Sequence, residues 1–215
     1  MSLNSPQANQ VRSEVAYQIA HTASKHRSPN RFDWETALHE SGHAVVAEYL
    51  KHSEVLEVSI VPSVCNGVKF MGITDSYIFA IPEGLSKRAY RQARMAQAAC
   101  EIQVDLAGSF AIEVYTNSDQ LIPLTSAVDI NSVCETLNDI YSPKTHTRAR
   151  RKFLDAQITR TFEILDIPEI KEAIHVMANV LMTKRVIFGD ECRAICKPFF
   201  DSFIALNHQP TPLNT

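Results

Sequence analysis

Between Trp34 and Lys51 a segment with helical apolar spacing carries two histidines and a glutamate in the order His39-Glu40-Ser41-Gly42-His43. Residues four apart on an α-helix differ by roughly 40° around the axis, so both imidazoles leave on one face, one turn apart. Two neutral ring nitrogens so placed can hold one Zn²⁺ at about 2.0–2.1 Å. Glu40 follows the first imidazole onto an adjacent face, from which it can reach water activated by the metal without occupying the metal. Zinc brings the pKa of such water toward neutrality and polarises a carbonyl. Glu40 would then take the proton and pass it to a leaving amine.

The plainer reading is a surface helix that happens to carry two histidines. Two observations weigh against it. The same segment holds Trp34, Ala37, Leu38, Val45 and Leu50, so at least one face is buried. Histidines and a glutamate near a core are costly unless something satisfies them. Gly42 also costs roughly 1 kcal/mol of helix propensity against alanine, which points to close packing against another element. A catalytic zinc site needs a third protein ligand. Val46 and Tyr49 stand where the metzincin extension requires glycine and histidine, so that class is excluded and the ligand comes from farther along the chain. Glu48 and His52 are near in sequence but are expected to point away from the metal face.

The rest of the chain is mostly helical in pattern. Asp33 is expected to cap a helix over Trp34–Lys51. Val55–Val61, rich in β-branched residues, reads as a strand, Pro62–Gly67 as a turn and Val68–Ile73 as a second strand, together a small sheet or hairpin. Helical pattern resumes over Leu85–Tyr115, as one bent helix or two, and is interrupted at Asn117–Pro123. Further helices are expected over Ala127–Tyr141, 144–166 after the break at Pro143, Pro168–Arg185, and Gly189 or Asp190 to Leu206. Val11–His26 is a weaker helical run before the break at Ser28-Pro29-Asn30. The expected organisation is a loose segment 1–30, a mainly α domain with a small β element over 31–206, and a frayed tail 207–215.

Composition narrows the class. Of 215 residues, 21 are basic and 24 acidic, a net charge of −3 that calls for neither nucleic acid nor an anionic membrane. Five cysteines at irregular spacing (Cys65, Cys100, Cys134, Cys192, Cys196) read as reduced thiols rather than a disulfide framework. No stretch approaches the ~20 apolar residues of a membrane span, and the N-terminus lacks the order of a signal peptide. A soluble, cytoplasmic protein is the expectation.

The stretch Ala37-Leu38-His39-Glu40-Ser41-Gly42-His43-Ala44 resembles the protease domain of FtsH-type ATP-dependent zinc metalloproteases, whose signature H-E-A-G-H-A differs only at Ser41. Val58-Ser59-Ile60-Val61-Pro62 is similar to that family's β segment ending in I-P. Leu106-Ala107-Gly108-Ser109-Phe110-Ala111-Ile112-Glu113 resembles its L-G-G-R-A-A-E-E helix, and Val186-Ile187-Phe188-Gly189-Asp190-Glu191 its closing L-x-G-D-E segment. Thr125-Ser126-Ala127-Val128-Asp129-Ile130 matches the T-G-A-x-N-D-L motif loosely, and the resemblance implies that Asp129 is the third zinc ligand. Taken alone, Ser126-x-x-Asp129 is a capping-box-like helix start. Glu113 is the next candidate, read here as a solvated or supporting acid. The likeness spans roughly residues 33–200 and departs from the family at Ser109, in place of arginine, and at Val128, in place of asparagine.

The resemblance implies a peptidase that hydrolyses peptide bonds of unfolded proteins or peptides, with zinc on His39, His43 and Asp129 and with Glu40 as general base. No G-x-x-x-x-G-K-[ST] loop accompanies it, so the activity is expected to be ATP-independent, in a homo-oligomer or beside a separate AAA ATPase. The alternative is a non-catalytic zinc-binding protein of the same fold, acting as a regulatory or structural partner. The strand Val55–Val61 could accept extended substrate along its edge. Cys192 and Cys196 read as small core residues, and Arg148-Ala149-Arg150-Arg151-Lys152 as a solvated helix face.

Overall fold

The computed structural model describes residues 31–65, 68–116, 126–142 and 146–207. The expected helix at Val11–His26, the breaks at Ser28–Asn30, Asn117–Pro123 and Pro143, and the tail beyond Asn207 lie outside them.

Helix α1 (Arg31–Leu50) is the axis of the fold. From Glu35 to Ala47 every residue is buried, so this helix is covered all round rather than on one stripe. Small residues make that possible: Ala37, Ala44 and Ala47 are fully enclosed and let neighbouring backbones close in. Three other helices and the sheet surround it, namely α2 (Lys87–Thr116), α5 (Pro168–Lys184), α6 (Gly189–Asn207) and strand β1 (Ser53–Ser59). Leu38, Val45, Ile170, Ile174, Met177, Leu181 and Ile187 fill the shared core, each worth roughly 1.5–3 kcal/mol of transfer energy. Cys192 and Cys196 are buried in it, and with Cys100 and Cys134 they are free thiols.

α3 (Ser126–Ile140) and α4 (Thr147–Leu165) pack on the far side of α2. α3 is lightly anchored. Val133 and Leu137 are its buried apolar side chains, and they meet Ile102 of α2 in a small separate cluster. The fold is therefore mainly α with a small sheet, as the spacing predicts. α1 starts at Arg31, so Asp33 is not its cap. It lies in the first turn, and its carboxylate pairs with Arg185 at 3.1 Å.

The sheet differs from the expected hairpin. β1 is central in the order β4-β1-β5, with β4 (Ile73–Ile78) and β5 (Val186–Phe188) both antiparallel to it. The segment read as a turn contains β2 (Ser63–Cys65), which pairs with β3 (Val68–Phe70) in a separate two-stranded ladder. β1's partner is thus the next stretch, β4. β1 has β4 along one side and, from Glu57 to Ser59, β5 along the other, so that stretch has no free edge for a peptide. That expectation is corrected: β4 and β5 are the edge strands of this sheet among the described residues, and β4 is the longer. A bulge between Val55 and Glu57 lets Leu56 stand outside the register, so that Val55, Val58 and Ile60 all face the core. Arg185, at φ 69, closes the assembly: its guanidinium donates to the Ile60 carbonyl at 3.0 Å while pairing with Asp33.

Candidate metal centre

His39 and His43 leave α1 on the face turned toward α2. Their rings are edge to face with centroids 4.5 Å apart, and their Nε2 atoms are 3.0 Å apart. His43 Nδ1 donates to the Val104 carbonyl of α2 at 2.7 Å. The neutral ring therefore carries its lone pair on Nε2, pointed at His39. From the first turn of α3, Asp129 places Oδ2 at 3.2 Å from His39 Nε2 and 3.6 Å from His43 Nε2. Two imidazoles and one carboxylate from elements far apart in sequence thus converge on one point.

These three atoms fit a divalent cation. A tetrahedral ion with bonds of about 2.0–2.1 Å requires ligand atoms about 3.3–3.4 Å apart, and the observed separations bracket that value. Asp129 Oδ2 is also buried without a hydrogen-bond partner, which is costly for a carboxylate oxygen unless a positive charge meets it. The electrostatics agree. Burial pushes the Asp129 carboxyl up, but the two imidazoles hold it well below the usual carboxylate range. Burial pulls the His43 imidazolium down, but the neighbouring Asp129 carboxylate, with help from Glu40 and the Val104 carbonyl, brings it to about 9. The pocket draws in positive charge.

Glu40 lies beside the three atoms, 5 % exposed, and outside the set that could hold a metal. The Thr74 hydroxyl on β4 is 2.8 Å from its Oε2 and donates to it, fixing the carboxylate. Burial pushes the Glu40 carboxyl up, and the neighbouring imidazoles and the Thr74 hydrogen bond counter this in part. The group is thereby more basic than an exposed glutamate.

Glycines let these elements meet. A Cβ on Gly42 would lie 2.6 Å from the Ala107 carbonyl oxygen, so α1 and α2 touch backbone to backbone there, the close packing that a helical glycine predicts. A Cβ on Gly72 would lie 2.6 Å from Glu40 Oε1. The resulting cleft, about 330 Å³, is bounded by α1, α2, the start of α3 and the residues leading into β4, and it includes Ile73, Thr74, Ser76, Asp105 and Val128. Burial pushes the Asp105 carboxyl up to about 6, although the Ser132 hydroxyl donates to it. Glu113, Glu48 and His52 do not join the cluster. Sequence reasoning missed Thr74, Gly72 and Asp105. No motif marks them, because each reaches the cleft through a tertiary contact. Gly108 carried a signal in the glycine pair of the L-G-G-R comparison.

Together the fold and the cleft define a mainly helical protein with a two-imidazole, one-carboxylate cluster that could hold a metal ion. No protein-family model matches the chain, and a search of curated proteins finds no match. Among the described residues no helix is long and apolar enough to cross a membrane.

Proposed function

We propose that this chain is a zinc-dependent metallopeptidase acting on unfolded polypeptide, similar in its domain to the FtsH-type proteases. One observation carries the reading. His39, His43 and Asp129 offer three ligand atoms 3.0–3.6 Å apart, while Glu40 stands next to them with no place among the ligands. A structural zinc site has no use for such a carboxylate.

His39 Nε2, His43 Nε2 and Asp129 Oδ2 would hold the ion, and zinc fits the mixture of imidazole nitrogen and carboxylate oxygen. Bound there, it supplies Lewis acidity, polarising the scissile carbonyl and making water more acidic. Glu40 accepts the proton from the attacking water at its carboxylate and returns it to the departing amine nitrogen. Thr74 holds Glu40 in position with its hydroxyl hydrogen bond. The Val104 carbonyl fixes the His43 tautomer. The substrate backbone adds to the free edge of β4, whose Ile73, Thr74 and Ser76 line the cleft, rather than to β1. Main-chain hydrogen bonds along such an edge bind extended chains with little regard to sequence, which suits unfolded substrates.

The test is zinc content measured together with cleavage of casein, an unstructured protein. One zinc per chain, proteolysis abolished by chelator, and a Glu40→Gln variant that retains zinc but loses proteolysis are the expected results. Zinc bound with no cleavage, and no effect of Glu40→Gln, would favour a non-catalytic zinc protein.

A further inference from the structure

The start of α2 runs against the charge logic of a helix. A helix N-terminus carries roughly half a positive charge, so stability favours aspartate or glutamate there. α2 has no acid in its first turn. It opens with Lys87 and Arg88, and Arg91 follows one turn on. All three are exposed, and none has a charge partner among the described residues. Arg94, one turn deeper, is by contrast paired with Glu101 at 3.0 Å and Asp139 at 2.8 Å. With Gln92 and Met95 the three free cations line a shallow depression of about 600 Å³. In a chain of net charge −3, leaving three cations unpaired where the backbone is already positive is a local conflict of the kind that marks function.

We propose that this depression is a docking site for an acidic polypeptide segment. Lys87 and Arg91 are four residues apart, about 6 Å along the helix axis. Alternate side chains of an extended chain are about 6.6–6.8 Å apart, so carboxylates at every second position can meet both cations, with Arg88 beside them. Met95 gives the intervening side chain a deformable apolar floor. The lining suits other polyanions less well. It offers no aromatic face for base stacking, which single-stranded nucleic acid uses. Three cations in a depression, on a chain that is negative overall, are also a weak anchor for an anionic bilayer, at about 1 kcal/mol each. The site does not depend on the peptidase reading, because it lies on the opening turns of α2 and uses none of the residues of the cleft.

The experiment is fluorescence anisotropy of a labelled peptide of alternating glutamate and alanine, titrated with the full chain at low salt. The variants are Lys87→Glu with Arg91→Glu, Lys87→Gln with Arg91→Gln, and, as a control of equal charge change, Arg148→Glu with Lys152→Glu on α4. The expected result is saturable, salt-sensitive binding that weakens about tenfold or more in the α2 reversal and less in the neutralised variant, with little change in the control. Thermal stability separates this from a structural role: the α2 reversal should melt at the same temperature or about 2–4 °C higher, because it removes a clash with the helix dipole. No binding by the native chain, equal loss in the control, or a lower melting temperature accompanying the lost affinity would each overturn the proposal. So would binding of an oligonucleotide or phosphatidylserine vesicles in preference to the peptide.

Discussion

A methyl group on Gly108 would lie 2.7 Å from Cε1 of His43 and 2.8 Å from Cε1 of His39, and would overlap His43 Nε2. The glycine thus leaves the space in which the two rings face each other. Gly108→Ala should improve helix propensity by roughly 1 kcal/mol and still harm the site, because the neighbours that must move are the proposed ligands. The expected outcome is a folded protein whose zinc affinity falls about 10–100-fold, measured by competition with a chromophoric chelator. Unchanged zinc affinity would show that the rings have room to spare.

Thr74 touches Glu40 but none of the three ligand atoms. Thr74→Val removes the hydroxyl that donates to the carboxylate and keeps the side chain's shape. A neutral hydrogen bond worth about 1 kcal/mol corresponds to a fall of up to about tenfold in kcat/KM, with zinc content unchanged. Thr74→Ser should restore most of the activity. A Val variant with full proteolysis would remove Thr74 from the mechanism.

Glu57 stands directly across the sheet from Asp75, and burial first, then the Asp75 charge, pushes its carboxyl up to about 7. The folded state therefore holds this proton more tightly than the unfolded chain does. Stability should fall as pH rises from about 4.5 to 7 and stay lower above that, by about 1–2 kcal/mol after allowance for solvent screening. Glu57→Gln should flatten that slope and raise stability at pH 8, as read from urea unfolding at several pH values. A slope left intact in the variant would assign the effect to another group.

Arg185 joins Asp33 to the end of β1 from a left-handed backbone conformation. Arg185→Ala leaves Asp33 buried without its cation and retains the unfavourable φ, at a cost of about 3 kcal/mol. Arg185→Gly loses the same pair but accepts the backbone, so it should cost about 1 kcal/mol less. Denaturant midpoints of the two variants give the comparison directly, and equal midpoints would mean that the backbone there is unstrained.

The helices and the two histidines were legible because each is a local pattern. A glycine inside an apolar helix announced the contact that Gly42 makes with α2. The sheet was less legible. Read with period two, burial should alternate along β1, yet Val55, Glu57, Val58 and Ser59 are all buried around the bulge at Leu56, and the alternation is lost. β5 is three residues long, too short for a periodic signal, and it exists because Arg185 turns the chain back onto β1. Asp129 could be nominated from a resemblance alone. Nothing local distinguishes a first-turn acid that serves the helix dipole from one aimed at two imidazoles on another helix. Thr74 and Asp105 were invisible for the same reason.

α3 meets the rest of the protein through the apolar side chains of Val133 and Leu137, the carboxylate of Asp129, and polar contacts that Ser132, Thr136 and Asp139 make with α2. With so little apolar anchorage, coordination would rivet this helix to α1, and chelation would let it swing. Its amides should then exchange with deuterated solvent well before those of the enclosed α1. One wall of the cleft would thus be only as steady as the supply of the ion proposed to sit in it.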